Sequence, residues 1–226
     1  RAMRPILTGV AEMLAGLAAS RDLPDPPPAD PMPLLARWLE EASTSGRYDD
    51  PNAMTLATST PDGTPSARIV LCKAIEIAPP SLVFYTSYEG RKAREIEANP
   101  RVACIFHWPH AGRQARVEGT ATRTPPAESD AYFASRSLLS RVGAVASRQS
   151  APLESRAELL RRAVGIAREA ATTGRLDRPQ SWGGYRISIS AVELWSAGQG
   201  RLHDRFLWTR DTRAASPGWY AQRLSP

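Results

Sequence analysis

The side chains with chemical potential fall in a few short stretches. The densest is "GQGRLHDRF" (198–206), where Arg201, His203, Asp204 and Arg205 lie between "VELW" and "FLW", two segments that read as strand. On a strand, alternate residues share a face, so Arg201, His203 and Arg205 are expected on one side and Asp204 on the other. Charge on a half-buried strand is tolerable when anionic ligands are its partners. The same stretch excludes other chemistry. "GQGRLH" begins like a dinucleotide fingerprint but ends in histidine, with no helix to follow. His203 and Asp204 are neighbours and point to opposite faces, which argues against a hydrolase triad. The chain has no Walker A loop, no Gly-x-Ser-x-Gly elbow and no HExxH.

Three further groups could hold anions. Arg68 and Lys73 bracket "IVLC", at an odd spacing that places them on opposite sides of a straight strand. Either the strand bends there or the two cations serve different ligands. Arg91 and Lys92 open a short helix, and a helix N-terminus with adjoining cations is a ready phosphate site. Tyr132, Arg136 and Ser140 recur at intervals of four and form one stripe on a continuous helix, a phenol, a guanidinium and a hydroxyl suited to a second phosphate. "RQS" (148–150) adds amide and hydroxyl donors. Taken singly, each group is also compatible with ordinary solvated charge. Two phosphate sites together would imply a phosphorylated cofactor and a phosphorylated substrate.

Several elements must position these groups. "RDLPDPPPADPMP" (21–33) reads as an extended linker following an N-terminal arm, with one large domain over 33–226. "PLLARWLEEASTSG" places Leu34, Leu35, Trp38 and Leu39 on one helical face. Strands are expected at 53–60, 66–77, 81–88, 101–108, 113–124, 183–197, 204–211 and 218–225, with helices at 90–100, 126–136, 138–147 and 155–171. The expected architecture is mainly β with α: six or seven antiparallel strands in a small barrel, with inserted helices.

The bulk composition narrows the function classes. The chain has 226 residues, 42% of them hydrophobic, enough for a sizeable core. "GVAEMLAGLAAS" (9–20) is interrupted by Glu12 and is read as neither a secretion signal nor a membrane span, so a cytoplasmic enzyme without a membrane partner is expected. The net charge of +6 is scattered, with no Lys/Arg block and no arginine–aromatic repeat, which favours a few anion sites over nucleic acid. Cys72 and Cys104 lie in apolar strand-like runs and read as buried thiols. Cys104 and His107 would face opposite sides of a strand, so no metal is expected.

The motifs "PNAMTLAT", "ARIVLCK", "VFYTSYEGRKA", "IEANPRVA", "GRQARVEG", "YFASR", "ASRQS", "WGGYR", "VELW", "RLHDRF" and "RLSP", in this order and spacing, make the chain similar to the pyridoxamine (pyridoxine) 5′-phosphate oxidase family, from about Asp30 to Pro226. The resemblance implies a homodimeric split β-barrel binding FMN at the dimer interface. It implies that FMN is held along Arg68, Ile69, Val70, Leu71, Cys72 and Lys73, and by Arg91 and Lys92. Tyr85, Thr86, Gln114, Gln149, Ser150, Trp195 and Arg205 would be further flavin contacts. Lys73, Tyr132, Arg136 and Ser140 would meet the substrate phosphate, with Arg201, Leu202 and His203 over the pyridine ring and its reactive carbon. Arg201 and His203 would be the catalytic pair. Implied too are O₂ as acceptor, H₂O₂ as by-product and pyridoxal 5′-phosphate as product. Three departures stand near the substrate side. The family's N-terminal Arg-x-x-Tyr is not evident, since Arg4 is followed by Leu7; its "SRPR" is here "SRSL", changing Ser137 and Leu138; and the glutamine that follows is Arg141. Two other readings remain: an FMN oxidase of dihydrophenazine carboxylates, whose leader is similar to residues 7–32, and a non-catalytic flavin- or B6-binding module.

Overall fold

The computed structural model describes Gly9, residues 22–211 and residues 218–226. Most of the N-terminal arm, including Arg4, Leu7 and the 10–20 part of the apolar segment, lies outside the described residues. Alternation of apolar and polar side chains builds the strands. In β1 (Ala53–Ser59), Met54, Leu56 and Thr58 are buried and their neighbours are not. β5 (Arg101–Trp108) buries Val102, Cys104, Phe106 and Trp108 in the same rhythm, and β6 (Arg113–Arg123) buries Ala115, Val117 and Ala121. β4 (Ser81–Ser87) is buried almost throughout. β2 (Pro65–Leu71), β3 (Ala74–Glu76), β7 (Trp182–Ser196), β8 (Asp204–Thr209) and β9 (Tyr220–Arg223) complete nine strands among the described residues, more than the six or seven expected. The expected segment 66–77 is interrupted at Cys72–Lys73, giving two strands instead of one, while 183–197, 204–211 and 218–225 each form one as expected. The order is β2-β1-β5-β6-β7-β4-β3, with β8 between β7 and β9. β3–β4, β4–β7, β7–β8 and β8–β9 all pair antiparallel.

The helices are α1 (Met32–Thr44), α2 (Arg91–Ala98), α3 (Pro126–Ser135), α4 (Leu138–Ala146) and α5 (Arg156–Thr173). α1 buries Met32, Leu34, Leu35, Trp38 and Ala42 along one face. α4 begins at Ser137, whose Oγ accepts the Ser140 N–H at 3.3 Å. α5 begins the same way at Ser155 and ends at Gly174, at φ 67°.

The chain forms two compact units. The first comprises Arg1–Thr55, Ala103–Gly119 and Ile189–Pro226. Its core holds Trp38 edge-on to Trp108, with Phe106 stacked on Trp108. Here Trp108 Nε1 donates to Pro51 O, and Trp208 Nε1 to Pro28 O; the second bond ties the proline-rich segment, expected to be an extended linker, to β8. The second comprises Leu56–Val102 and Thr120–Ser188 and contains α2 to α5. There Phe84 stacks on Tyr185 at 5.6 Å, and Tyr185 donates to Glu97 at 2.7 Å.

Candidate active site

The second unit encloses a cavity of about 600 Å³. β2 and the residues after it contribute Ile69, Val70, Leu71 and Lys73; β4 contributes Tyr85, Thr86 and Ser87; α2 contributes Lys92. Tyr132, Arg136, Ser137, Ser140, Gln149 and Trp182 complete the polar and aromatic lining. Three lining residues are cationic, Lys73, Lys92 and Arg136, and none is acidic.

Two of these cations are held without a countercharge among the described residues. Lys92 is 9% exposed, and its Nζ donates to two neutral acceptors, Thr86 Oγ1 at 3.2 Å and Gln149 Oε1 at 2.6 Å. Burial, then the charge of Arg68, pushes its pKa below the usual lysine value. Arg136 rests on rings. Its guanidinium lies 4.7 Å from the centroid of Trp182, and Nη1 is buried with no hydrogen-bond partner. Burial lowers its pKa also. A buried lysine and a half-buried arginine with an enclosed Nη1, both facing neutral partners, are costly unless an anion joins them, so the donor set fits phosphate-bearing ligands.

The aromatic wall is ordered by stacking. Tyr85 and Tyr132 are nearly parallel at 3.9 Å, and Trp182 lies parallel to both. Tyr85 stands opposite Gly184 on β7. A Cβ at Gly184 would come within 2.8 Å of the Tyr85 ring and 2.6 Å of Thr124 Oγ1, so this position must be glycine for the ring to lie on the strand. Burial, reinforced by Glu128, pushes the Tyr85 phenol up to about 12, so it stays protonated.

Other expected residues are placed differently. Arg68 and Arg91 are not among the cavity-lining residues. Both pair with Glu95, which is 5% exposed: Arg68 Nη2 at 3.2 Å and Arg91 Nε at 2.8 Å. Arg68 also donates to Leu56 O, Thr58 and Ser66. Cys72 is buried; desolvation pushes its thiol up to about 12. Lys73 sits past the end of β2 and lines the cavity with Ile69, Val70 and Leu71, while Arg68 does not, in keeping with the expectation that the two cations serve opposite sides. The helical stripe also fails as drawn. α3 ends at Ser135, Arg136 is extended at ψ 152°, and Ser137 starts a new helix, yet Tyr132, Arg136 and Ser140 still converge on the cavity. Ser150 sits at φ 68° and its Oγ accepts the Arg91 N–H at 3.2 Å.

Gln114, Trp195, Arg201, Leu202, His203 and Arg205 belong to the first unit. Arg201, His203 and Arg205 do not alternate along one strand: residues 199–201 form a 3-10 turn and β8 begins only at Asp204. Gly200 and Arg201 both take left-handed φ, 61° and 64°. This tight turn brings the Gly198 N–H to His203 Nδ1 at 3.1 Å, and a Cβ at Gly198 would overlap Leu202 O. The neutral imidazole therefore carries its proton on Nε2. The ring packs on Trp195 at 4.6 Å. Arg205 donates to Glu193 and to Ser225 O, and Gln114 lies half-buried on β6.

Sequence reasoning missed several cavity residues. Gly143, Ala144 and Ser147 continue from Ser140 as a small-residue face of α4, a spacing that was there to be read. Glu95 and Glu128 carried no such signal.

An antiparallel sheet with these inserted helices and an anion-fitted cavity defines the class: a split β-barrel of the FMN-binding kind. The chain matches the family model "Pyridoxamine 5'-phosphate oxidase" over residues 42–168 and "Pyridoxine 5'-phosphate oxidase C-terminal dimerisation region" over 182–226. It is 53% identical to a pyridoxine/pyridoxamine 5′-phosphate oxidase of Rubrobacter xylanophilus, across 94% of this chain and 92% of that one. It is 46% identical to the protein of that name in Burkholderia lata, across 87% and 89%. Among solved structures it resembles PhzG of the same Burkholderia lata strain, in complex with tetrahydrophenazine-1-carboxylic acid, with TM-score 0.83, 30% identity and coverage of 93% and 100%. The chain belongs to the pyridoxamine 5′-phosphate oxidase family, and is by that membership an oxidoreductase.

Proposed function

We propose that the protein oxidises pyridoxine or pyridoxamine 5′-phosphate to pyridoxal 5′-phosphate, with FMN as cofactor and O₂ as final acceptor. The observation that carries this reading is the cavity lined by Lys73, Lys92 and Arg136 without a single carboxylate. Lys92, Thr86 and Gln149 would hold the flavin phosphate near the start of α2. Arg136, Lys73, Tyr132 and Ser140 would hold the substrate phosphate. When bound, FMN supplies the two-electron acceptor, and O₂ leaves as H₂O₂. The chain's own residues bind and orient. A phosphate remote from the reacting carbon provides binding energy that holds the ring in place, and that positioning raises the rate. His203, whose Nδ1 accepts from the Gly198 N–H, would offer Nε2 to the substrate as a hydrogen-bond donor. Arg201, held at φ 64°, would lie over the ring.

A second reading, oxidation of a dihydrophenazine carboxylate, is favoured by the likeness to PhzG and by the departures at Ser137, Leu138 and Arg141. Two observations weigh against it. Within one organism, the named B6 oxidase is 46% identical to this chain, against 30% for PhzG. Arg136, half-buried with its Nη1 enclosed, also suits a phosphate more than a tricyclic acid. The test is direct. FMN-loaded protein is mixed in air with pyridoxine 5′-phosphate, and pyridoxal 5′-phosphate and peroxide are followed. Both should form. Oxidation of a dihydrophenazine carboxylate instead would establish the second reading, and flavin binding without either turnover would make the chain a binding module.

A further inference from the structure

We propose that Glu128 is a positioning residue for the substrate side of the cavity, acting through Tyr85 on Tyr132. The inference rests on the proposed function and assigns a role to a residue outside the cavity lining.

Tyr132 reaches the cavity from α3, and its ring lies at 3.9 Å and 16° from that of Tyr85. Stacking fixes the separation of two rings but resists sliding and in-plane rotation only weakly. A hydrogen bond at the rim supplies the missing restraint: Tyr85 Oη donates to Glu128 Oε1 at 3.3 Å. Glu128 lies one helical turn before Tyr132 on α3, so a single carboxylate links the strand that carries one ring to the helix that carries the other.

The carboxylate is itself clamped. Arg186 on β7 donates to both of its oxygens, Nη1 to Oε2 at 3.1 Å and Nη2 to Oε1 at 3.3 Å. Arg186 in turn holds Glu76 on β3 with two further bonds, at 2.9 and 2.8 Å. Four elements, β3, β4, β7 and α3, meet in this chain of contacts. β4 and β7 are paired, with Val83 opposite Arg186 and Tyr85 opposite Gly184. The network therefore has a rigid base on the sheet, and its free end is the first turn of the helix that delivers Tyr132 and leads into Arg136. None of the three charged residues touches the cavity, which keeps their acid groups from opposing an anionic ligand.

The test compares Glu128→Ala with Glu128→Gln in the FMN-loaded protein, alone and combined with Tyr85→Phe. Glu128→Ala should raise the KM for pyridoxine 5′-phosphate about 10-fold, with kcat within about twofold and FMN affinity unchanged, as loss of one bond to a charged group implies. Glu128→Gln keeps an acceptor for Tyr85 Oη and should restore most of the KM. With Tyr85→Phe already in place, Glu128→Ala should add little, because both changes break the same link. Pyridoxal 5′-phosphate affinity, read by absorbance, should follow KM without any turnover, and thermal melting establishes that each variant is folded. A KM unmoved in a folded Glu128→Ala protein would overturn the positioning role, and so would additive effects with Tyr85→Phe, or a Gln variant no better than Ala. If the unaltered protein failed to oxidise pyridoxine 5′-phosphate, the functional reading would fail instead; the Glu128 inference would then stand or fall on pyridoxal 5′-phosphate affinity alone.

Discussion

His203 and Arg136 show how far single side chains decide the chemistry. Because His203 Nδ1 accepts from the Gly198 N–H, the other nitrogen of the neutral ring, Nε2, is a donor. His203→Gln, which keeps a donor at similar reach, should retain most of kcat/KM, whereas His203→Ala should lose about 10- to 100-fold. Equal losses in steady-state kinetics would mean that the ring accepts a proton after all. Arg136 carries the opposite lesson. Its Nη1 is buried without a partner, a condition that disfavours the folded protein until an anion arrives. Arg136→Met preserves the packing on Trp182 and removes the uncompensated charge. Its melting temperature should be unchanged or higher, while the KM for a phosphorylated substrate rises by about 100-fold, a trade of stability against function. A lower melting temperature would show that the cation–π contact with Trp182 outweighs desolvation.

At the scale of elements, α2 matters most. Burial raises the Glu95 carboxyl, but hydrogen bonds from Ser66, Thr58, Arg91 and Arg68 outweigh it and hold the pKa at about 2, from an ordinary 4.5. A depressed carboxylate stabilises the fold above its unfolded pKa and loses that contribution as pH falls through the folded one. The loss should therefore run from about pH 4.5 down to 2. Glu76, held at about 2 chiefly by Arg186, acts in the same direction. Urea unfolding at several pH values should show Glu95→Gln flattening this acid limb; parallel curves would mean that the cluster adds nothing to acid stability. The break between α3 and α4 belongs to this scale too. Ser137 caps the new helix, and Ser137→Ala should cost about 1 kcal/mol in the same melts.

For the whole molecule, the C-terminal region that matches the family's dimerisation model covers residues 182–226, including the 198–203 turn and β8. Tyr220, 68% exposed, and Leu202, 55% exposed, are large apolar groups within it. The protein is expected to sediment as a dimer at twice the chain mass. Charge substitutions at both, Tyr220→Glu with Leu202→Glu, should shift it toward monomer in analytical ultracentrifugation, with flavin affinity falling in step. Dimers that persist unchanged would place the contact elsewhere in the chain.

The sequence by itself determined the kinds of element and their order. Period-two runs became β1, β5 and β6, the 3.6-residue period became α1 and α5, and serines opened α4 and α5. Those signals act over a few residues, so they survive without knowledge of the fold. The identities of the candidate anion-binding cations were readable for the same reason: Lys73, Lys92 and Arg136 are chemically unambiguous wherever they stand. Tertiary structure decided which cations remain available. Arg68 and Arg91 resembled Lys92 in sequence, yet the fold brings Glu95 to both of them and only neutral oxygens to Lys92. Glu95 is 27 residues from Arg68, and Glu128 is 43 from Tyr85. No local period encodes pairings at that separation; they exist only once sheet and helices have packed.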